Sequence, residues 1–210
     1  MPGRILVLHS GGMDSTVCLY RAHESKAEVI SLGVDYGQRL SIEMIFAQRQ
    51  CDQLGIRREI ARVSWQKPQR EIPVDRSISE IGREVSTAFL PGRNAIFLSL
   101  ANAYAAGLEA TEVHIGLNSV DFSGYPDCTP EFLEAFRRMM EIAIPNGAKI
   151  VAPLQHLSKP QIAREAARLG IGEYDTWSCY RPQLKAGAIA PCGICDACKL
   201  HRYAWQNANG

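Results

Sequence analysis

Apolar positions along this chain alternate between two patterns. Short continuous runs, Ile-Leu-Val-Leu at 5–8 and Glu-Val-Ile-Ser-Leu-Gly-Val at 28–34, have the length and β-branched content of buried strands. Between them, residues 14–25 read as a helix. Leu40, Met44, Ala47, Cys51 and Leu54 recur at three- and four-residue spacing, one face of a second helix that Gly55 is placed to end. Residues 57–63 form a third, charged run suited to a sheet edge. The alternation stops over 64–90, where Pro68 and Pro73 stand among mixed charges; the expectation there is a lid or an oligomer contact. It resumes with a helical face of Phe97, Leu100, Ala101, Tyr104 and Leu108, then a strand at 112–116 and a polar loop at 118–128. Thr129-Pro130 opens a helix whose apolar face is Phe132, Phe136, Met139 and Met140. A strand at 149–152 follows, then a capping box from Ser158 to Gln161, with Ile162, Ala166 and Leu169 at helical spacing. Strand–helix alternation of this kind predicts an α/β fold, a doubly wound and mostly parallel five-stranded sheet with right-handed crossovers. Ligands then sit beyond the carboxyl ends of the strands. The loops after the first, second and fourth strands, and Lys159 after the fifth, converge on one rim.

Length and composition narrow this picture. The 210 residues fit one large domain with a small appendage, here 1–172 followed by a tail at 173–210. A net charge of +1 without a basic block argues against a protein that wraps nucleic acid non-specifically. The longest apolar runs are too short to span a bilayer, so no membrane partner is expected. Residues 1–4 lead into a strand and not a signal-peptide pattern, which makes the cytoplasm the expected compartment. Seven cysteines in such a chain point to metal binding or reactive thiols before disulfides.

The loop between the first strand and helix reads His9-Ser10-Gly11-Gly12-Met13-Asp14-Ser15-Thr16. Strand, glycine turn and helix N-terminus together aim several backbone N–H groups at one point, the recipe for a phosphate site. Ser10, Ser15 and Thr16 add hydroxyls. Neither a Walker loop nor a Gly-x-Gly-x-x-Gly fingerprint is present. Ser-Gly-Gly-x-Asp-Ser resembles instead the PP-loop of the ATP pyrophosphatase superfamily, whose members cleave ATP to AMP and pyrophosphate while adenylating a substrate. A Gly-Gly pair also suits a plain surface turn; the strand before and the helix after favour the phosphate loop.

Pro191-Cys192-Gly193-Ile194-Cys195-Asp196-Ala197-Cys198 holds three cysteines at Cys-x-x-Cys-x-x-Cys spacing, and Cys179 precedes them by thirteen positions. Four thiolates in a short tail poor in apolar residues suit a closed tetrahedral zinc site, whose binding supplies folding free energy. A redox pair and an iron–sulfur cluster are the other readings. Cys18, Cys51 and Cys128 read as core or loop thiols; Cys128 is a candidate nucleophile only if a base stands beside it.

Five motifs taken together resemble the 7-cyano-7-deazaguanine synthases of the queuosine and archaeosine pathway. They are Ser10 to Thr16, Asp35-Tyr36-Gly37-Gln38-Arg39, Pro91-Gly92-Arg93-Asn94, Asp121-Phe122-Ser123-Gly124-Tyr125-Pro126-Asp127-Cys128, and Trp177-Ser178-Cys179-Tyr180 with the three-cysteine run. The resemblance implies an adenine nucleotide α-hydrolase-like fold and a homodimer. It implies ATP-dependent conversion of 7-carboxy-7-deazaguanine and ammonia to the nitrile, with magnesium and a structural zinc. Carried over by position, ATP lies along His9, Ser10, Gly11, Gly12, Met13, Asp14, Ser15, Thr16, Val17, Cys18 and Leu19, with Gln38, and zinc lies on Cys179, Cys192, Cys195 and Cys198. The deazaguanine is expected against Tyr36, Arg93, Asn94, Asp121, Phe122, Ser123, Gly124, Tyr125 and Asp127. Within that set, Ser10, Ser15, Thr16 and the Gly11 and Gly12 N–H groups hold pyrophosphate, and Asp14 positions magnesium. Lys159 and Arg93 offset charge at the transferring phosphate, although each taken alone reads as a surface charge. Asp121 or Asp127 matches the N–H and amino donors of the ring, and Tyr125 or Phe122 is placed to stack on it; the same residues also read as loop-forming.

Three positions depart from the family pattern: Leu40 replaces His, Thr129 replaces Arg, and Arg181-Pro182 replaces Asn-Gly. They leave the ATP and zinc motifs whole and touch the acceptor side. A second enzyme reading therefore stands beside the first, in which the adenylated acid passes to an amine on a protein or nucleic acid. A reading of another class is a nucleotide-binding module without turnover.

Overall fold

The computed structural model describes residues 3–37, 42–65, 71–81, 85–118 and 125–209. Five parallel strands form the central sheet: β1 (Arg4–Leu8), β2 (Glu28–Asp35), β3 (Arg57–Arg62), β4 (Glu112–Ile115) and β5 (Lys149–Val151). Their spatial order is β3-β2-β1-β4-β5, with Leu8 level with Leu32 on one side and Ile115 on the other. The chain winds outward from β1 to β3, then returns to place β4 against the other flank of β1. That reversal opens a crevice at the carboxyl ends of β1 and β4. The charged strand β3 is an edge, as its sequence predicts.

The continuous apolar run of β1 is explained by burial on both faces. Leu6 and Leu8 pack with Leu98 of α3 (Arg93–Gly107) and with Leu133 and Phe136 of α4 (Pro130–Ala143). Ile5 and Val7 face the other way, toward Val17 of α1 (Met13–Glu24), Cys51 of α2 (Ile42–Leu54) and Ile162 of α5 (Lys159–Arg168). Helix α6 (Asp196–Gln206) joins this second layer through Ala204, and Ala208 just beyond its end is buried there too.

Both caps read from the sequence form. Thr129 Oγ1 accepts from the Phe132 N–H at 3.1 Å, and Ser158 and Gln161 bond reciprocally across the first turn of α5. Two helical faces differ from expectation. Helix α3 buries Asn94, Leu98, Ala101, Asn102 and Ala105, with Phe97, Leu100, Tyr104 and Leu108 only partly covered. Its small residues take the innermost line, because they let the helix approach the sheet. On α4, Leu133 and Phe136 are buried whereas Met139 is half exposed. Leu40 and residues 38–39 lie outside the described residues.

The tail contains an antiparallel hairpin that periodicity does not reveal, β6 (Gln183–Lys185) and β7 (Ala188–Ala190). Its two-residue turn, Ala186-Gly187, has positive φ at both positions. Of the 64–90 excursion, the part around Ile72 to Arg76 packs on the cysteine tail, whereas Trp65 and Phe89 pack on Tyr36 and Tyr125. Val74 pairs with Cys195 as an isolated bridge, and Ile72 and Val74 pack beside Trp177 and the four cysteines.

Candidate active site and metal centre

Strand β1 delivers the chain into a turn that is shaped from below. Gly11 has φ +92°, and a Cβ there would overlap the Glu43 carbonyl oxygen and stand 2.8 Å from Ala47 N. Gly116, at the end of β4, meets α1 just as closely: a Cβ would lie 2.9 Å from Ser15 N. These two glycines let the ends of β1 and β4, α1 and α2 close around one crevice. The Trp177 N–H donates to Gly11 O at 3.0 Å, so the tail closes over the loop.

Inside the loop, the Ser10 N–H donates to Ser15 Oγ at 3.1 Å, and Ser15 Oγ donates to Gly12 O at 3.1 Å. Thr16 Oγ1 is turned inward. Its single hydroxyl proton is shared between Gly12 O at 2.8 Å and Gln50 Oε1 at 3.2 Å. Beneath it, Gln50 joins three elements. Its Oε1 is 2.8 Å from His9 Nε2, and its Nε2 donates to Asp175 O at 2.7 Å. An amide oxygen only accepts, so His9 carries its proton on Nε2 and accepts at Nδ1, where Ser31 Oγ and Arg58 Nη1 lie at 3.0 and 3.3 Å. Burial, reinforced by Arg58, lowers the His9 pKa to about 3, so the imidazole is neutral. His9 backs the loop as a polar strut, a part played with Gln50 and Arg58 that periodicity does not reveal.

The crevice has two lobes. The first, about 350 Å³, runs from the loop residues His9, Ser10, Gly12, Met13, Asp14 and Ser15 to Tyr36, Glu43, Met44 and Phe97. The second, about 220 Å³, is lined by Arg76, Ile81, Ser86, Tyr125, Cys128 and Asp196 among others. Asp14, Arg93, Asn94, Lys159 and Tyr180 line both. At this junction Lys159 Nζ donates to Asp14 Oδ2 at 2.5 Å, an ion pair between the first residues of α5 and α1. Tyr36 lies between Trp65 and Phe97, at 5.8 and 5.3 Å between ring centres, and burial raises its pKa.

Of the sequence-nominated residues, Val17, Cys18 and Leu19 are fully buried behind the loop and line neither lobe. Asp127 is buried with Oδ2 accepting from the Asn94 N–H at 3.1 Å, and it lines neither lobe. It holds Asn94, whose Nδ2 donates to Asp127 O and to Cys128 Sγ. Cys128 reaches the second lobe, but burial, aided by Asp127, pushes its thiol up to about 12, away from the thiolate form a nucleophile needs. Gln38, Asp121, Phe122, Ser123 and Gly124 lie outside the described residues. Tyr125 lines the second lobe and stacks on Phe89 at 5.0 Å. His201, unmarked in the sequence, lines the first lobe; its Nε2 donates to Glu173 O at 3.0 Å.

The four tail cysteines do meet. Their sulfurs lie within 4.8 Å of one another and all four residues are buried. Backbone N–H groups of Arg181 and Cys192 donate to Cys179 Sγ at 3.3 Å, and that of Cys195 donates to Cys192 Sγ at 3.4 Å. Such donors favour thiolates; the Cys195 thiol is lowered by the Cys198 side chain first and then by backbone N–H groups, whereas burial raises that of Cys179. This donor set fits a metal that takes four sulfur ligands. Among the described residues no helix is long and apolar enough to cross a membrane.

Residues 4–209 match the family model of the queuosine biosynthesis protein QueC. The 7-cyano-7-deazaguanine synthase 2 of Rhodopseudomonas palustris (strain HaA2) is 57% identical over 203 residues, 97% of each chain. The 7-cyano-7-deazaguanine synthase of Novosphingobium aromaticivorans is 39% identical over 214 residues, 97% of this chain and 90% of that one. Among solved structures, the U34-tRNA thiolase NcsA of Methanococcus maripaludis, solved with its 4Fe-4S cluster, is similar with a TM-score of 0.53. At 16% identity, over 80% of this chain and 58% of that one, this is a likeness of fold.

Proposed function

The chain belongs to the family of the queuosine biosynthesis protein QueC, and we propose that it converts 7-carboxy-7-deazaguanine and ammonia to 7-cyano-7-deazaguanine at the expense of ATP. The observation that carries the site assignment is the two-lobed crevice at the β1/β4 reversal, with Asp14, Arg93 and Lys159 at its junction. ATP occupies the first lobe and the acid the second. The acid's carboxylate oxygen attacks the α-phosphorus, pyrophosphate leaves, and the acyl adenylate forms. Ammonia then displaces AMP to give the amide. The amide oxygen then attacks the α-phosphorus of a second ATP with loss of pyrophosphate, and departure of AMP and the two N–H protons gives the nitrile.

The protein's part is alignment and charge compensation. Ser10, Ser15 and the N–H groups opening α1 hold the leaving pyrophosphate, which requires the internal Ser10–Ser15 bonds to re-aim at phosphate. Thr16, bonded to Gly12 and Gln50, fixes the turn and leaves phosphate binding to its neighbours. Lys159 and Arg93 offset charge at the α-phosphate, and Asp14 is the carboxylate for magnesium, which would neutralise phosphate charge when bound. Arg93, Asn94 and Tyr125 frame the acid, with Asp127 acting through Asn94, and Tyr36 lines the lobe given to ATP. Cys179, Cys192, Cys195 and Cys198 would hold zinc, whose contribution is structural cross-linking of the tail. Residues 1–172 form the adenylating unit and 173–210 the metal-binding appendage; Ala204 packed beside α1 and α5 supports an appendage docked on that unit. A homodimer and a cytoplasmic compartment complete the proposal.

The test is a mass-spectrometric product assay with ATP, magnesium, ammonium and 7-carboxy-7-deazaguanine. Nitrile together with AMP is the expected result. AMP with only adenylate or amide would replace nitrile formation by transfer to an external amine, and absence of pyrophosphate would remove the enzyme reading.

A further inference from the structure

The second lobe is lined in part by two side chains that neither the phosphate loop nor the cysteine cluster employs. Asp196 follows Cys195 and is only 6% exposed, yet it lines the lobe. Arg76 reaches it from the 71–81 segment: Nε donates to Oδ1 at 3.1 Å and Nη2 donates to Oδ2. Lys199 Nζ donates to the Arg76 carbonyl at 2.6 Å and fixes where that side chain begins. Arg76 and Asp196 line the second lobe and not the first, whereas Asp14, Arg93 and Lys159 line both. The lobe therefore combines the phosphate-facing junction with a second acid–base pair that the first lobe does not share.

We propose that Arg76 and Asp196 read the pyrimidine edge of the deazaguanine. Asp196 accepts from the ring N–H and the 2-amino group, and Arg76 donates to the adjacent ring carbonyl oxygen. The inference rests on the synthase reading above. That edge presents an acceptor and two donors in a row, and an arginine beside a carboxylate presents the complementary set. Each carboxylate oxygen has two lone pairs, so Asp196 accepts from the ring while still held by Arg76. Arg76 in turn gives two of its five N–H donors to Asp196 and keeps others for the ligand.

Among the described residues, the other acidic candidates are committed elsewhere. Asp14 is paired with Lys159, and Asp127 holds Asn94 and lines neither lobe. Among the described residues, Asp14 and Asp196 are the only acidic residues lining the second lobe. A buried ion pair is a poor stabiliser compared with apolar packing, so a tie between the 71–81 segment and α6 does not by itself call for one. Tyr125 and Tyr180 line the same lobe and present aromatic surface to a planar ring.

The experiment is isothermal titration of the full-length, metal-loaded protein with 7-carboxy-7-deazaguanine and with the analogue lacking the 2-amino group. The wild type is expected to prefer the parent acid by about 10- to 100-fold, the range of one charge-assisted hydrogen bond. In Asp196→Ala that preference falls to near unity, with ATP affinity and metal content unchanged. Asp196→Asn, the isosteric variant, guards against a folding defect and should show a reduced preference. Arg76→Ala should weaken both ligands about equally, because both carry the ring carbonyl. An undiminished preference in both Asp196 variants would overturn the assignment, as would parallel loss of ATP binding, which marks a structural tie. A wild type that binds the parent acid without regard to the 2-amino group would overturn the inference and leave the synthase reading standing. A wild type that binds neither acid would overturn both.

Discussion

Two glycines of similar backbone conformation should respond very differently to the same substitution. Gly92 has φ +72° but open space around a new Cβ, so Gly92→Ala should cost about 1 kcal/mol, the left-handed penalty alone. Gly11→Ala adds a collision with the backbone of α2 and should cost about 3 kcal/mol or more, together with ATP affinity. Urea unfolding and nucleotide titration of the two variants separate strain from collision. His9 makes a pH prediction. Its folded pKa, about 3, lies below the unfolded value near 6.5, so the unfolded chain binds the proton first. Stability from this group is fully present above pH 6.5 and is lost as pH falls from there toward 3. The slope approaches about 1.4 kcal/mol per pH unit. His201 is lowered by burial as well and adds in the same direction. In unfolding measurements between pH 7.5 and 5, His9→Gln should be less stable at neutral pH but show a flatter slope; equal slopes would mean that His9 titrates normally in the fold.

At the scale of elements, the helices show why apolar spacing names a helix more securely than its inner line. Helix α4 crosses the sheet so that Leu133 and Phe136 point into the core while Met139 lies half in solvent. Leu133→Ala should therefore cost about 2–5 kcal/mol and Met139→Ala about 0.5 kcal/mol or less. Reversal of that order in thermal unfolding would place the helix in another rotation. Helix α3 follows the same logic. It is apolar on several sides, so its periodicity cannot choose between Phe97 and Leu98, and the choice falls to small residues such as Ala101 and Ala105 that allow close approach to the sheet. The hairpin β6–β7 carries no turn signature in the sequence, because alanine is rare at the positive φ that Ala186 adopts.

At the scale of the molecule, the cysteine tail is joined to the two-lobed crevice by short links. Trp177 bonds Gly11, Asp175 bonds Gln50, and Val74 pairs with Cys195. Removing the metal should therefore loosen more than the tail. After treatment with a strong chelator, or in Cys195→Ser, limited proteolysis is expected to cut within 71–81 and 173–195 first. The far-ultraviolet signal of the sheet and its helices should be largely retained. Simultaneous collapse of sheet and tail would instead make the metal a requirement for the whole fold.

The chain pattern determined the strand and helix order up to α5, the parallel sheet, both helix caps and the loop Ser10 to Thr16, and it singled out the four tail cysteines, because each depends on residues close in sequence. Lys159 was legible through its place after the fifth strand, though its partner Asp14 is 145 residues away. Only the tertiary structure decided that Thr16 and His9 face inward and that Gln50 joins them to Asp175. It also decided that Asp127 is spent on Asn94, and that Arg76 and Asp196 meet across the second lobe. Those outcomes depend on which side of a turn or helix the sheet covers. That follows from packing and from the requirement that buried polar groups find partners, and neither is written in local spacing.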